Sequence, residues 1–241
     1  RGHRFVTASD TEVILAAYRQ WNVGCLARLR GMFAFAIWDE QQRLLFIARD
    51  RLGKKPLHYL VDEAGMAFAS EPKAFLADRS FQPRPDPHAI SAYLSYQYVP
   101  SPLSAFEGVR KLPPGHFMLV RDGAISVERY WKLSYANKRQ LSEPQACEEL
   151  LERLREAVRL RLVSDVPLGA FLSGGIDSSI IVGLMQKLGS QPVQTFSIGF
   201  AEKEYDETGY AWQVARHLGT EHRQFRVEPQ AVDILPRLVW H

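Results

Sequence analysis

The chain has 241 residues, of which 46% are hydrophobic and 24% are charged, a composition typical of a globular protein with one or two domains. A net charge of +3 without basic clusters argues against nucleic-acid binding, and no apolar run is long enough to span a membrane. The N-terminal residues lack the apolar core of a signal peptide. Cys25 and Cys147 are far apart and lack metal-type spacing. We therefore expect a cytoplasmic protein without disulfides.

The first half of the chain is β-rich. Residues 9–12, Ser-Asp-Thr-Glu, form a capping-box pattern that predicts a helix to about Trp21. Alternating apolar residues on either side of turn residues then predict three pairs of strands: 32–39 with 44–49, 57–61 with 66–70, and 117–120 with 125–130. Antiparallel pairs with interspersed helices predict an α+β domain over residues 1–135. The polar residues 134–140 are predicted to be a linker.

The second half alternates between strands and helices. A capping box at residues 142–145 predicts a long helix with an apolar face. A buried strand is predicted at residues 166–172, with further strands at 193–200 and 224–227, and helices ended by Gly189 and Gly219 lie between them. This order predicts an α/β doubly wound parallel sheet over residues 142–241. Ligands of such sheets bind at the carboxyl ends of the strands.

Residues 173–179, Ser-Gly-Gly-Ile-Asp-Ser-Ser, lie between the predicted strand and the helix that follows it. Gly174 and Gly175 permit positive φ angles and close backbone approach. The N–H groups at the helix N-terminus and the serine hydroxyls are donors for an anion, so a phosphate chain is the predicted ligand. The lysine of a Walker-type loop is absent. Ile198, at the end of the next strand, either lines the adenine or ribose or belongs to the core.

The loop resembles the pyrophosphate loop of the N-type ATP pyrophosphatases. In that family the loop holds the β- and γ-phosphates of ATP as the leaving group, while a substrate oxygen attacks the α-phosphate and forms an adenylate. The resemblance implies that Asp177 lies near the Mg²⁺ that neutralises the phosphates. It also implies a set of ATP contacts: Leu172, Ser173, Gly174, Gly175, Asp177, Ser178, Ser179 and Ile198.

Further motifs extend the resemblance over essentially the whole chain. Residues 5–13, Phe-Val-Thr-Ala-Ser-Asp-Thr-Glu-Val, and the segments 29–39, 49–59, 70–74 and 111–116 resemble class II glutamine amidotransferases. Together with residues 164–167, the loop and Tyr205-Asp206-Glu207, they follow the order of glutamine-hydrolysing asparagine synthase. The family fold is an Ntn-type glutaminase followed by an ATP pyrophosphatase domain. Its activity converts aspartate to a β-aspartyl-adenylate, which ammonia released from glutamine converts to asparagine.

The resemblance also assigns residues in the first half. Asp10 matches the aspartate that binds the α-amino group of glutamine, and it would also complement the helix dipole. Arg49 and Asp50 match a framework pair of the glutaminase and are predicted to form a structural ion pair. The implied ligands are glutamine, aspartate and ATP with Mg²⁺, and a homodimer is implied because family members are commonly dimers. Four histidines without metal-type spacing are predicted to be surface residues: His58, His88, His217 and His222.

The chain departs from the family pattern at both ends. The family nucleophile is an N-terminal cysteine whose own α-amino group acts as the base, whereas Arg1 stands first here, so no catalytic residue of the glutaminase is expected. The Asn-Gly-Glu segment of the oxyanion site is absent, as is the downstream Ser-Gly-Glu-Gly-Ser-Asp-Glu segment. We therefore expect a fragment that is inactive by itself in both reactions.

Three alternatives remain open at this stage. β-Lactam synthetase is a relative whose glutaminase half has lost its cysteine. Other amidotransferases of this architecture, acting on peptidoglycan or secondary-metabolite carboxylates, share the same motifs. The third alternative is a catalytically inactive nucleotide-binding or scaffolding module, against which the intact Ser173, Gly174, Gly175 and Asp177 argue. The sequence leaves the acceptor carboxylate open.

Overall fold

The computed structural model describes residues 2–63, 65–202, 204, 206–227 and 231–240. Tyr205, part of one motif noted above, lies outside the described residues. The chain divides into two compact units, Arg1–Asn137 and Lys138–His241. Within the described ranges, no helix combines the length and the apolar character needed to cross a bilayer.

The first unit combines two antiparallel sheets with short helices, as the strand pairs predict. Its helices are α1 (Asp10–Trp21) and α2 (Pro87–Tyr96), with 3₁₀ helices at Asn22–Ala27 and Pro72–Ala77. Its strands are β1 (Ala34–Asp39), β2 (Leu44–Arg49), β3 (His58–Asp62), β4 (Gly65–Ala69), β5 (Arg110–Lys111), β6 (His116–Arg121) and β7 (Ala124–Arg129). The sheets have the orders β1-β2-β6-β7 and β4-β3-β5. All three predicted strand pairs are confirmed.

The core of the first unit lies between α1 and the four-stranded sheet. Tyr18 stacks on Phe46 with ring centroids 5.5 Å apart, and Phe117 meets the same ring edge-on at 5.9 Å. The cluster also buries Cys25 and Leu26 from the 3₁₀ helix that follows α1. Aromatic pairs of these geometries stabilise a core beyond the area that they bury. The helix is therefore fixed against β2 and β6 by aromatic packing.

The N-terminus of α1 differs from the predicted capping box. Ser9 Oγ accepts a hydrogen bond from Thr11 N at 3.2 Å, so Ser9 is the N-cap. The Glu12 carboxylate turns back to accept from Val6 N at 2.9 Å and Thr7 N at 2.7 Å. Glu12 therefore fastens the preceding segment to the helix, and its hydrogen bonds to Thr7 and Val6 lower the pKa of its carboxyl.

Helix α2 is not among the elements predicted from the sequence, because the proline-rich residues 82–87 favour an extended chain. The structure begins the helix at Pro87, and Asp86 Oδ1 accepts from His88 N at 2.8 Å and Ala89 N at 3.3 Å. Proline suits the first position of a helix because the N–H that it lacks has no partner there. The Asp-Pro pair is thus a helix start, and the sequence contained this local signal.

The second unit contains a parallel sheet with the order β10-β9-β8, confirming the predicted strand–helix alternation. Its elements are α3 (Glu143–Arg161), β8 (Gly169–Phe171), α4 (Ile176–Leu188), β9 (Gln194–Gly199), α5 (Thr208–Leu218), β10 (Glu221–Arg226) and α6 (Ala231–Trp240). Gly219 ends α5 in the left-handed region at φ 69°. One apolar cluster joins α3 to α4, and a second joins α4 to α5.

The predicted buried strand at residues 166–172 is wrong in length and in burial. Only Gly169–Phe171 form β8, and the Phe171 side chain is 77% exposed. Within the described part of the chain, β8 is an edge strand that pairs with β9 alone. An apolar run predicts burial only if other elements cover both faces of the strand. Leu172, just beyond β8, is the residue of this run that packs inside.

Candidate functional site

The loop that joins β8 to α4 owes its shape to Gly174. Its φ angle of +81° lies in the region that residues with a Cβ avoid. A Cβ at this position would lie 2.5 Å from the carbonyl carbon of Tyr210 and 2.7 Å from Ala211 N. Both the backbone conformation and the contact with α5 therefore require glycine, as the sequence predicts for this position.

The loop leads directly into the N-terminus of α4. The expectation of a positive φ is wrong for Gly175, which is the N-cap in an extended conformation at φ −71°. Its carbonyl accepts the first helical hydrogen bond from Ser179 N at 3.0 Å. The first N–H groups of an α-helix have no acceptor within the helix. Together with the positive end of the helix dipole they attract an anion, and a phosphate group suits the site.

The serine hydroxyls predicted as ligand donors bond to the loop itself in this structure. Ser173 Oγ lies 3.0 Å from Ser178 Oγ. Ser178 Oγ donates to Gly175 O at 3.2 Å, and Ser179 Oγ donates to the same carbonyl at 2.7 Å. These contacts hold the three hydroxyls around the N-cap. Since each hydroxyl hydrogen rotates freely, the oxygens retain the capacity to donate elsewhere.

Asp177 is the carboxylate nearest in sequence to this anion site. It lies exposed in the first turn of α4. No group of three or more His, Cys, Asp or Glu side chains within the described ranges could hold a metal ion unaided. Magnesium is commonly bound by one or two carboxylates together with substrate phosphates. The donors present therefore fit Mg²⁺ only as an ion that a carboxylate and a phosphate chain hold jointly.

A cavity of about 150 Å³ lies beside the loop, at the carboxyl ends of β8 and β9. Leu172, Ser173 and Ile198, three of the predicted ATP contacts, line it. Leu172 is 1% exposed and packs into the α4–α5 cluster, whereas Ile198 is 44% exposed. The exposure of Ile198 removes the core alternative for this residue. Its contact with a nucleotide stays a prediction.

Two further residues, Glu207 and Thr208, line the same cavity and were not predicted as site residues. The Asp206 carboxylate holds this turn by accepting from Thr208 Oγ1 at 2.6 Å and from Thr208 N at 3.1 Å. These hydrogen bonds lower the pKa of Asp206. Asp side chains commonly accept from the backbone N–H two residues later, so the sequence carried a local signal for this side of the cavity.

His58 is buried and His222 is half-buried, so the prediction that they are surface residues is wrong for His58 and only partly right for His222. In the second unit, His222 is a residue of β10 and its ring contacts β9, with Nδ1 2.9 Å from Thr195 Oγ1 and Nε2 3.1 Å from Ser197 Oγ. Burial lowers the pKa of His222. In the first unit, His58 is 6% exposed and its Nδ1 lies 3.0 Å from Ser70 O. The burial of a single histidine leaves no periodic pattern in the sequence, so it becomes apparent only when the strands are paired. His88 and His217 are exposed, as predicted.

In the first unit, Asp10 lies exposed in the first turn of α1. The free thiols are Cys25, which is buried, and Cys147, which is exposed. Burial raises the pKa of the Cys25 thiol and so disfavours the thiolate that a nucleophile needs. The assignment of Asp10 to glutamine stays a prediction.

The predicted ion pair between Arg49 and Asp50 is wrong. The Arg49 guanidinium donates to three carbonyls, Leu112 O at 2.7 Å and Gly53 O and Lys55 O at 2.8 Å each. The Asp50 carboxylate accepts from four backbone N–H groups, those of Phe33, Leu52, Lys54 and Lys55. Both side chains are buried and hold backbone instead of each other. Buried backbone N–H and carbonyl groups need hydrogen-bond partners. The sequence does not reveal which of these groups each side chain will bond.

Comparisons with known proteins match both halves. Residues 1–131 match the family described as glutamine amidotransferase domain, and residues 149–241 match the family described as asparagine synthase. Asparagine synthetase [glutamine-hydrolyzing] 1 of Bacillus subtilis is 37% identical over 100% of this chain and 38% of its own length. Asparagine synthetase [glutamine-hydrolyzing] 3 of the same organism is 38% identical over 85% of this chain and 34% of its own length.

A fungal protein with a different name is also similar. Amidase chry2 of Gibberella zeae is 34% identical over 95% of this chain and 36% of its own length. The chain thus spans little more than a third of the length of each of these relatives. The matches confirm the resemblance found in the motifs. The chain belongs to the glutamine amidotransferase family through residues 1–131, followed in the same chain by the asparagine synthase match over residues 149–241.

Proposed function

We propose that this chain is part of a glutamine-dependent asparagine synthase, a carbon–nitrogen ligase. The whole enzyme would convert ATP, aspartate, glutamine and water to asparagine, glutamate, AMP and diphosphate through a β-aspartyl-adenylate. One observation carries the proposal: a glutamine amidotransferase match precedes an asparagine synthase match in one chain, and the second region contains a glycine-shaped anion loop at a helix N-terminus. Relatives of that name align with the chain over 85–100% of its length.

We assign residues 1–135 to the C-terminal part of an Ntn-type glutaminase domain. Residues 142–241 are assigned to the N-terminal part of an ATP pyrophosphatase domain. The antiparallel sheets of the first unit and the parallel β8–β9–β10 sheet of the second support these assignments. The family matches support the order of the two. We further propose that the protein is cytoplasmic and forms a homodimer, as the resemblance implies.

In the second domain the chain would bind ATP through the loop and the cavity beside it. The N–H groups from Gly174 into the first turn of α4 face the β- and γ-phosphates, while Ser173, Gly175, Ser178 and Ser179 surround them. Preorganised donors stabilise negative charge that develops on the diphosphate as it leaves. Leu172 and Ile198, which line the cavity, would contact the adenosine. Mg²⁺, when bound beside Asp177, would neutralise part of the phosphate charge.

In the first domain Asp10 would bind the α-ammonium group of glutamine. A carboxylate and an ammonium form a charge-assisted hydrogen bond, and the exposed position of Asp10 leaves it accessible to a substrate. Ser9 caps the helix that carries Asp10, so its backbone position is fixed. The glutamine nucleophile is not assigned to a residue of this chain.

The test is an assay of the complete gene product with ATP, aspartate and glutamine. We expect asparagine and AMP in equal amounts. In the Asp10→Asn variant we expect a raised KM for glutamine and unchanged synthesis from ammonia, because the second domain does not use Asp10. In the Asp177→Asn variant, synthesis from ammonia as well as from glutamine should fall. Failure of the wild-type protein to release AMP with aspartate would overturn the proposal.

The alternative is a related amidotransferase, such as a β-lactam synthetase-like enzyme, that activates a different carboxylate. This alternative is supported by the similarity to a fungal protein that is named an amidase and not a synthetase. AMP release with another carboxylate and none with aspartate would establish this alternative. ATP binding without AMP release under any condition would instead indicate an inactive nucleotide-binding module.

A further inference from the structure

The first unit contains a cavity of about 590 Å³ that we name the basic pocket. Three cationic or basic side chains line it: Arg49 at the end of β2, His58 at the start of β3 and Lys111 at the end of β5. No Asp or Glu is among the described residues that line it. The basic pocket belongs to the first unit alone and shares no lining residue with the cavity beside Gly174.

The three basic groups are held in place by the sheet and by backbone contacts. His58 and Lys111 are direct partners in the antiparallel pairing of β3 with β5, so their side chains are neighbours on one face. Arg49 donates to the carbonyl of Leu112, the residue after Lys111, at 2.7 Å. Arg49 is 8% exposed and His58 is 6% exposed. These positions are therefore part of the folded core and not of a mobile surface.

Each basic group retains donor capacity. A guanidinium has five N–H groups, and the Arg49 guanidinium makes three hydrogen bonds to carbonyls. An ammonium has three N–H groups, and Lys111 Nζ donates one to Val99 O at 2.6 Å. His58 Nδ1 lies 3.0 Å from Ser70 O, and since a carbonyl only accepts, this nitrogen carries the proton. Nε2 of the neutral ring is then unprotonated and becomes a donor when the ring takes up a second proton.

The positive charges in the basic pocket oppose one another. Burial, followed by the charges of Lys111 and Arg49, lowers the pKa of His58. Burial and the charge of Arg49 lower the pKa of Lys111. Burial lowers the pKa of Arg49, and the charge of Asp50 opposes that shift. The Asp50 carboxylate accepts from four backbone N–H groups, and Asp50 does not line the pocket. An anion in the pocket would relieve this repulsion.

We propose that the basic pocket binds the oxyanion of a small molecule, a carboxylate or a phosphate group, between Arg49, His58 and Lys111. Tyr98 and the prolines Pro56, Pro100 and Pro114 also line the cavity and supply an apolar wall for the rest of the ligand. A few convergent polar groups in an otherwise apolar cavity of several hundred Å³ are typical of small-molecule sites. The proposal does not depend on the proposed activity.

The test uses NMR of the histidine rings in the 241-residue chain. Inorganic phosphate and acetate are titrated separately, and the His58 resonances are followed. We expect a saturable shift with at least one probe, together with a rise in the pKa of His58 at saturation. Tighter binding of phosphate would indicate a phosphate-bearing ligand, and tighter binding of acetate a carboxylate. Both results support the site.

Variants of Lys111 test whether the probes bind in the basic pocket. Lys111→Met should weaken binding by about tenfold or more, because a charge-assisted contact is lost, and Lys111→Arg should retain it. Lys132→Met changes the charge equally at an exposed position outside the pocket lining and should leave binding unchanged. If Lys111→Met does not fold, Lys111→Gln keeps a donor for Val99 O and serves in its place. The proposal is overturned if neither probe gives a saturable shift, or if the Lys111 variants bind as tightly as the wild type.

Discussion

Gly174 lies against the backbone of Tyr210 in the first turn of α5, and a Cβ on Gly174 would lie 2.5 Å from the Tyr210 carbonyl carbon. The anion loop and α5 are therefore packed backbone to backbone. Because Tyr210 follows Gly174 by 36 residues in the chain, the shape of the loop depends on a helix that the local sequence does not contain. The contact makes the loop a rigid element, as a preorganised phosphate site requires.

Replacement of Gly174 by alanine should destabilise the second unit. A left-handed φ costs a residue with a Cβ about 1–2 kcal/mol, and the backbone overlap adds to that, so we expect a loss of at least about 2 kcal/mol in the free energy of unfolding. Urea denaturation followed by circular dichroism measures it. On the proposal that the loop binds ATP, ATP binding by the complete gene product should weaken as well.

The matched control is Gly209→Ala in α5. A Cβ on Gly209 would meet nothing within 4 Å, and alanine is the better helix former by up to about 1 kcal/mol. We therefore expect unchanged or slightly raised stability. Equal destabilisation by both substitutions would contradict the close contact at Gly174.

Asp50→Asn should be strongly destabilising, although aspartate and asparagine have nearly the same size. An amide nitrogen would face backbone N–H groups that the carboxylate now satisfies, leaving buried donors unpaired. The expected loss is about 3 kcal/mol in the free energy of unfolding. Asp122→Asn, in an exposed turn at φ 49°, should change stability by less than about 0.5 kcal/mol. Chemical denaturation of the two variants side by side gives the comparison.

Tyr18 should ionise at a higher pH than a free tyrosine, and its ionisation should lower the stability of the protein in strong alkali. Burial, followed by its hydrogen bond to Asp39 Oδ2 at 3.0 Å, raises the pKa of Tyr18 from 10.0 to about 12. Since the folded pKa is the higher one, its contribution is complete below pH 10.0 and is lost as the pH rises to about 12. Phenolate absorbance of the wild type minus that of Tyr18→Phe isolates this group. A difference titration centred near pH 10.0 would contradict the burial.

His222 should make the second unit sensitive to acid. Burial lowers its pKa below the ordinary value of 6.5, so the unfolded chain binds a proton more readily than the folded one. The stability that it contributes is present above pH 6.5 and is lost as the pH falls through the folded pKa. NMR titration of the imidazole should show this lowered value. Thr195→Val removes the hydrogen-bond partner of His222 Nδ1 and therefore tests whether this hydrogen bond, or burial alone, determines the pKa of His222.

Asp86→Ala tests the start of the unpredicted helix α2. The Asp86 carboxylate accepts from two N–H groups at the helix N-terminus, so its loss should cost about 1 kcal/mol. Asp86→Ser, which keeps a capping oxygen, should recover most of that difference. Thermal unfolding of the two variants distinguishes them, and equal melting temperatures would count against the cap.

The parts of the fold that the sequence predicted depend on neighbours in the chain. Hairpins follow from a few turn residues between alternating runs, and the ends of α4 and α5 follow from Gly189 and Gly219. The anion loop was predictable for the same reason, because glycine, serine and a helix N-terminus lie within seven residues. Apart from helix α2, whose start is a local Asp-Pro pair, the errors concern residues whose environment is built by distant segments. Phe171 is exposed because its strand is at the edge of the sheet formed by the described residues, which an apolar run alone cannot reveal.

The sequence by itself determined the family, the two-part order of the chain and the residues of the anion loop, since each rests on short motifs. Only the tertiary structure decided that Arg49 and Asp50 hold backbone instead of each other, and that His58 lies beside Lys111. It also decided that Ile198 faces a cavity and that His222 joins β9 to β10. The physical reason is that hydrogen-bond partners, burial and pKa depend on which strands pair, and pairing across tens of residues is fixed by packing.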